Sequence, residues 1–211
     1  MLPDPDFRGC ARDLESAYLE SDDPERQSGF SGGRTRWVVE RSPLVEALHR
    51  EGDFLDVGCA NGLFAADVMT WARGRGVSIV AHGVDLGPRL IELARQRLPQ
   101  FASNFHVADA WTWEPDRQWT YVYSLLDLSP RDLWCHWLRR LHSWVEPDGR
   151  LIIGSYGGRT PRRHPADVVG VMEGCGFSVA GSGEGGDPVV TRFAWTTRIP
   201  RALIDPVVPV P

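Results

Sequence analysis

Lysine is absent: all 23 basic residues of this 211-residue chain are arginine. A Schiff-base lysine, a lysine general base and a Tyr-x-x-x-Lys pair are therefore excluded. Cysteine is scarce. Cys10, Cys59, Cys135 and Cys175 form no C-x-x-C pair, so their spacing suggests neither a metal site nor a disulfide framework. Free thiols in a reducing cytoplasm are the simplest expectation. No apolar run is long enough to span a bilayer, and the acidic, proline-containing N-terminus lacks an apolar h-region. Neither a membrane partner nor a signal peptide is expected. An excess of positive charge is also missing. The net charge of -5 argues against a nucleic-acid partner, which wants a basic face.

What is present is ordinary in bulk and specific in places. A hydrophobic content of 42% with 24% charged residues suits one α/β domain with a full core. The stretch from Phe54 to Phe64 organises the rest. Leu55 and Val57 alternate with Asp56, as in a strand ending at a crevice. Gly58 and Gly62 then frame a turn where backbone must approach something closely, since glycine accepts positive φ and has no Cβ. From Leu63 to Arg73, Phe64, Val68, Trp71 and Leu63, Ala66, Met69 recur at helical spacing. A strand-to-helix turn of this kind offers free N–H groups and a positive dipole end to a ligand. The small residues stand as G-x-A-x-G, which is not the dinucleotide pattern G-x-G-x-x-G.

With Asp56 two residues before the first glycine, the stretch resembles motif I of the class I S-adenosylmethionine-dependent methyltransferases, with Ala60 in place of the middle glycine. The resemblance runs from about Phe54 to Arg198 through five motif positions in order. It implies a Rossmann-like, doubly wound α/β sheet of seven strands, mostly parallel with an antiparallel last strand. Asp56, Gly58, Ala60 and Gly62 would then hold the methionine end of S-adenosyl-L-methionine. Asp85, at the end of the second strand and followed by Leu86, would take the ribose hydroxyls, as a carboxylate there can. Asp109 and Ala110, after the third strand, match the place that receives adenine. Trp111 beside them either stacks on the ring or packs in the core.

Tyr121 to Leu125 reads as the fourth strand and leads into Leu126-Asp127-Leu128-Ser129-Pro130, the motif IV position near the transferable methyl. The N/D-P-P-Y/F signature of base and glutamine N-methyltransferases is absent. Ser124 and Asp127 are polar groups at that mouth. Pro130 to Val145 reads as a helix with a broad apolar stripe. The run L-x-x-x-V-E-P-D-G-R-L-I-I up to Ile153 resembles the family's L-x-P-G-G-x-L motif, with Asp148 in place of the first glycine. Phe177–Ala180 and Val189–Arg198 read as closing strands, joined by a loop with four glycines.

Residues 1–52 are expected to form an N-terminal helical lid, 53–199 the Rossmann-like core and 200–211 a proline-rich disordered tail. In the lid, Arg36 to Arg50 reads as a helix kinked at Pro43, and Phe30 is either a plug or part of the closing element. Tyr18 and Arg36 are candidates to clamp the cofactor's carboxylate. Methyl transfer is an in-line displacement, so positioning and desolvation are the main demands. Where a base is needed, His136, His142, Asp127 and Tyr156 are candidates, with His106 behind them. The expected function is methyl transfer to an O or N atom of a small molecule. The competing readings are a nicotinamide-dependent oxidoreductase and a non-catalytic methyltransferase-like binding protein.

Overall fold

The computed structural model describes residues 2–4, 14–158 and 164–196. The expected tail at 200–211 and residues 5–13 of the expected lid lie outside these. Seven strands form one sheet: β1 (Gly52–Val57), β2 (Ile79–Asp85), β3 (Phe105–Val107), β4 (Trp119–Leu125), β5 (Val145–Tyr156), β6 (Val179–Gly185) and β7 (Thr191–Thr196). Their order is β3-β2-β1-β4-β5-β7-β6. β7 is antiparallel to β5 and to β6, and the other pairs are parallel. The order reverses between β1 and β4, which opens a crevice at their carboxyl ends.

Among the described residues, the sheet is flanked by α1 (Arg34–Arg41), α2 (Leu63–Gly74), α3 (Pro88–Arg97), α4 (Trp134–Ser143) and α5 (Val168–Gly174). Alternation along β1 sends successive side chains to opposite faces. Leu55 and Val57 join Val122, Leu151 and Ile153 under Trp137, Leu138 and Leu141 of α4. Phe54 joins Tyr121, Tyr123 and Ile152 beneath Trp37 of α1 and Phe64 and Val68 of α2. Each of these large apolar side chains gives about 1.5–3 kcal/mol on full burial.

Three expectations are corrected. Cys135 and Cys175 are not free thiols: they form a disulfide, Cα–Cα 5.1 Å, across 40 residues. Cys135 lies on α4 and Cys175 caps α5, and the two helices meet only in the folded chain. The glycine-rich stretch 181–185 is not a loop but most of β6. Its glycines are there because neighbours come close. A Cβ on Gly181 would lie 2.6 Å from the Trp195 ring, and one on Gly183 3.2 Å from the Pro43 carbonyl. The helix expected from Arg36 to Arg50 stops at Arg41, one residue before Ser42-Pro43, and Ser42–Ala47 continues as a 3-10 turn. Asp148 has φ 63, the left-handed conformation that the motif's glycine would supply and that Asp tolerates.

Candidate functional site

The turn after β1 is held open by its own backbone. Gly58 has φ 82, Ala60 φ 45 and Gly62 φ 70. The Gly58 and Cys59 N–H groups donate to the Val84 carbonyl at 2.8 and 3.2 Å. A Cβ on Gly58 would meet Leu128 at 2.6 Å, and one on Gly62 would meet Ala94 of α3 at 2.8 Å. The first glycine therefore lets Leu128 pack against the turn, and the last allows α2 and α3 to pack.

Asp85 ends β2 beside this turn. Its Oδ2 accepts from the Ala60 N–H at 2.9 Å, and its Oδ1 from the Gly87 N–H at 2.8 Å. Burial raises its pKa, and those two amides oppose the rise. An ionised carboxylate has about four lone-pair sites, so capacity for further donors remains. Asp56 is more deeply enclosed, at 2% exposure. Burial, reinforced by the Asp85 charge, pushes its pKa up to about 8. It lines a small cavity of about 50 Å³ with Gly58, Ala60, Phe64, Tyr123 and Tyr156.

A cover lies over the crevice. The Glu15 carboxylate accepts from the Arg89 N–H at 2.7 Å, at the N-terminus of α3, where an anion is favoured. Burial raises the Tyr18 pKa, and the charges of Asp127 and Asp85 raise it further, so Tyr18 faces both carboxylates. Asn61, fully buried, joins the cover to the turn. Its amide donates to the Pro24 carbonyl at 2.9 Å and to Gln27 Oε1 at 3.1 Å. Its Oδ1 accepts from Ser28 Oγ at 2.7 Å and from the Leu63 N–H at 3.1 Å. Behind the cover, Asp67 accepts both Arg34 Nη groups at 2.5 Å and Trp37 Nε1 at 2.7 Å, which locks α1 onto α2.

The remaining sequence-predicted residues fall in two groups. Tyr156 closes β5 at the crevice, its hydroxyl 2.7 Å from that of Tyr123. Burial raises its pKa. The Asp127 charge is felt at both Tyr18 and Tyr156, and desolvation of its carboxyl raises its own pKa. Leu86 follows Asp85 in the turn before α3, and Ser124 is fully buried on β4. Arg36 lines a larger cavity, of about 310 Å³, and its Nε donates to Glu40 Oε1 at 2.8 Å.

The second group lies along α4. Asp109 accepts the Trp111 N–H at 2.9 Å, and the Ala110 carbonyl accepts from Arg140 Nε at 2.8 Å. The Trp111 ring stacks on Trp137 at 4.6 Å and donates to the Leu128 carbonyl. His136 lies over Trp111 and His142 beside Phe177, with pKa values lowered by burial, that of His142 to about 4. Neither histidine lines the two cavities.

Sequence reasoning missed Glu15, Asn61, Arg41 and Tyr123. For Arg41 and Tyr123 a signal was there. Arg41 follows Trp37 by four residues and so shares its buried helix face. Tyr123 is two residues from Tyr121 and shares its sheet face.

Sheet order, switch-point crevice and glycine turn define a Rossmann-like α/β domain with a crevice at the carboxyl ends of β1, β2 and β4. A family model described as "Methyltransferase domain" matches residues 33–171. The chain belongs to that family. It is 32% identical over 130 residues to trans-aconitate 2-methyltransferase from Methylobacterium radiotolerans, covering 62% of this chain and 47% of that protein. It is 20% identical over 118 residues to malonyl-[acyl-carrier protein] O-methyltransferase 1 from Ilyobacter polytropus, covering 56% of this chain and 42% of that one. The chain thus spans about half the length of the curated relatives it matches. Among solved structures it is similar to magnesium protoporphyrin IX methyltransferase from Synechocystis PCC 6803, with bound SAM. The TM-score is 0.64 and the identity 17%, covering 94% of this chain and 100% of that one. A likeness at that identity shows the fold. Among the described residues, no helix is long and apolar enough to cross a membrane.

Proposed function

We propose that this chain is an S-adenosylmethionine-dependent methyltransferase acting on an O or N atom of a small molecule. The observation that carries the reading is the Asp85 carboxylate at the end of β2. It is fixed by the Ala60 and Gly87 amides and retains lone pairs for a ribose. The glycine turn fits the same cofactor, because Gly58 and Ala60, both at positive φ, line the small cavity. The relatives at 32% and 20% identity are named as methyltransferases of small or carrier-bound acids.

On this reading residues 1–52 are the lid and 53–199 the core. Asp56 and the backbone of Gly58, Ala60 and Gly62 bind the methionine end, Asp85 and Leu86 the ribose, and Asp109, Ala110 and Trp111 the adenine side. When bound, the cofactor supplies a methyl group already activated as a sulfonium. The chain's own residues then orient the acceptor and exclude water. Asp127 is the group at the mouth that can take a proton from an acceptor that carries one, and the Tyr156 hydroxyl can orient that acceptor by a hydrogen bond. His136 and His142 sit in packing positions along α4, away from the two cavities.

Calorimetric titration with S-adenosylmethionine and with NADH, on the wild-type chain and an Asp85→Ala variant, tests the reading. The expected result is binding of the sulfonium cofactor, weakened by Asp85→Ala at least about tenfold, about 1.4 kcal/mol. No binding of that cofactor, or tighter binding of NADH, would overturn it.

A further inference from the structure

The loop that carries Asp127 hangs from two indoles. Trp134 Nε1 donates to the Leu126 carbonyl at 3.1 Å and to the Ser129 carbonyl at 3.2 Å. Trp111 Nε1 donates to the Leu128 carbonyl at 3.1 Å. Backbone carbonyls on both sides of Asp127 thus depend on two side chains. Both indoles are set by the first turn of α4. Trp134 is its first residue, and the Trp111 ring stacks on His136 at 6.1 Å and on Trp137 at 4.6 Å.

Cys135 stands between Trp134 and His136, so its bond to Cys175 fixes the turn from which the loop hangs. The bond is not what holds α4 and α5 together. Trp137, Leu138 and Leu141 share one buried cluster with Val168 and Met172 of α5 and with Phe177 beyond it. Arg139 Nη2 also donates to the Cys175 carbonyl at 3.3 Å. That packing remains when the bond opens, and what is released is the position of the first turn. The bond is also within reach of a reagent. Cys175 is 5% exposed, but Cys135 is only half-buried. A disulfide sulfur open to solvent is the one that an attacking thiolate meets.

We infer that Cys135–Cys175 is a thiol-exchange site, opened by a dithiol reductant, and that opening it loosens the Asp127 loop and so regulates the crevice. One thiolate of the dithiol attacks Cys135 Sγ. The bond to Cys175 breaks, its electron pair leaves on Cys175 Sγ, and that sulfur takes a proton. The second thiolate of the dithiol then attacks the reductant's own sulfur in the mixed disulfide. A cyclic disulfide leaves, and Cys135 departs as a thiolate that takes the second proton. The chain gains two electrons and two protons, and the dithiol is oxidised to its disulfide. The inference rests on the methyltransferase reading for what the site controls, since Asp127 is there the group that meets the acceptor.

The test follows amide hydrogen exchange in the full chain with the bond closed, after dithiothreitol treatment without denaturant, and in Cys175→Ser. The reporter is the Ser129 amide, which donates to the same Leu126 carbonyl as Trp134 does, at 3.1 Å. Opening the bond should speed exchange at Ser129 by at least about tenfold and leave the Leu138 and Leu141 amides within about threefold, as a local opening does. Cys175→Ser should match the reduced chain without reductant. Trp134→Phe, which keeps a ring and loses the N–H, should show the fast Ser129 exchange with the bond closed and gain less than about threefold more on reduction. An unchanged Ser129 rate in both the reduced chain and Cys175→Ser would overturn the proposal. So would global unfolding of both, or a bond that dithiothreitol opens only in denaturant, because the bond would then be structural. A further tenfold gain on reducing Trp134→Phe would overturn it too, since the loop would not answer through that indole. S-adenosylhomocysteine affinity of the closed chain is measured alongside. Its absence would count against the methyltransferase reading, and the exchange rates would still decide whether the bond controls the loop.

Discussion

Leu55 and Val57 enter a face closed by α4 and α5, where the buried cluster is apolar, including Met172 and Phe177, and a disulfide ties the two helices. Phe54 and Asp56, offset by one residue, enter a face closed by α1 and α2. There Glu40, Arg41, Asp56 and Asp67 are all buried. One strand thus serves two environments through the alternation of its side chains. The first face is arranged for stability, its largest members fully enclosed. The second accepts buried charge, which costs stability unless something completes it. Asp67 is completed internally by Arg34 and Trp37. Asp56 and Arg41 are completed less fully, and both line the small cavity.

The largest expected effect separates the faces. Trp137→Ala should cost about 3–5 kcal/mol in chemical denaturation, as large-to-small changes in a packed core do, while the folded fraction keeps its cofactor affinity. A loss of affinity in protein that is still folded would show that the faces are one unit. Reduction of Cys135–Cys175, or a Cys175→Ser variant, should lower stability by up to about 4 kcal/mol for a loop of 40 residues, again with binding intact.

A third prediction concerns protons on the other face. Asp56 titrates near 8 in the fold against an unfolded value of 3.8. The folded chain therefore binds more protons between those values, and stability falls as pH rises from about 4 to about 8. One such group gives a slope of at most about 1.4 kcal/mol per pH unit. Asp56→Asn should flatten the slope in denaturation curves taken across that window. An unchanged slope would assign it to Asp85 and Asp127, whose pKa values burial also raises. The smallest effect is at the join of α2 and α3. Gly62→Ala should cost about 1 kcal/mol or somewhat more in the same assay, from positive φ and the approach of Ala94.

The comparison also explains what the sequence disclosed. The alternation of Leu55 and Val57, the two turn glycines and Asp85 are local patterns, and the strand order follows from them together with the helices between. Asp148 was legible as a motif departure, and its φ of 63 shows why the departure is tolerated. The disulfide was hidden because nothing in the spacing of Cys135 and Cys175 says that α4 and α5 will meet. β6 was hidden because its glycines answer to Trp195 and Pro43, partners distant in sequence. Arg41 shares the helix face of Trp37, but that spacing does not disclose its burial, because an arginine on a helix is usually solvated. Only tertiary packing under Phe30 and Tyr156 makes it a buried charge.

Asn61 sits inside the turn that faces the small cavity, and it is also the latch for residues 24–28. Any molecule that enters by lifting those residues must first break bonds to the turn on which, under the proposed function, it would come to rest. Doorway and floor are thus one mechanical part. Loosening the door at Ser28 or Gln27 would unsettle the floor, and a ligand pressing on the floor would be felt at the door.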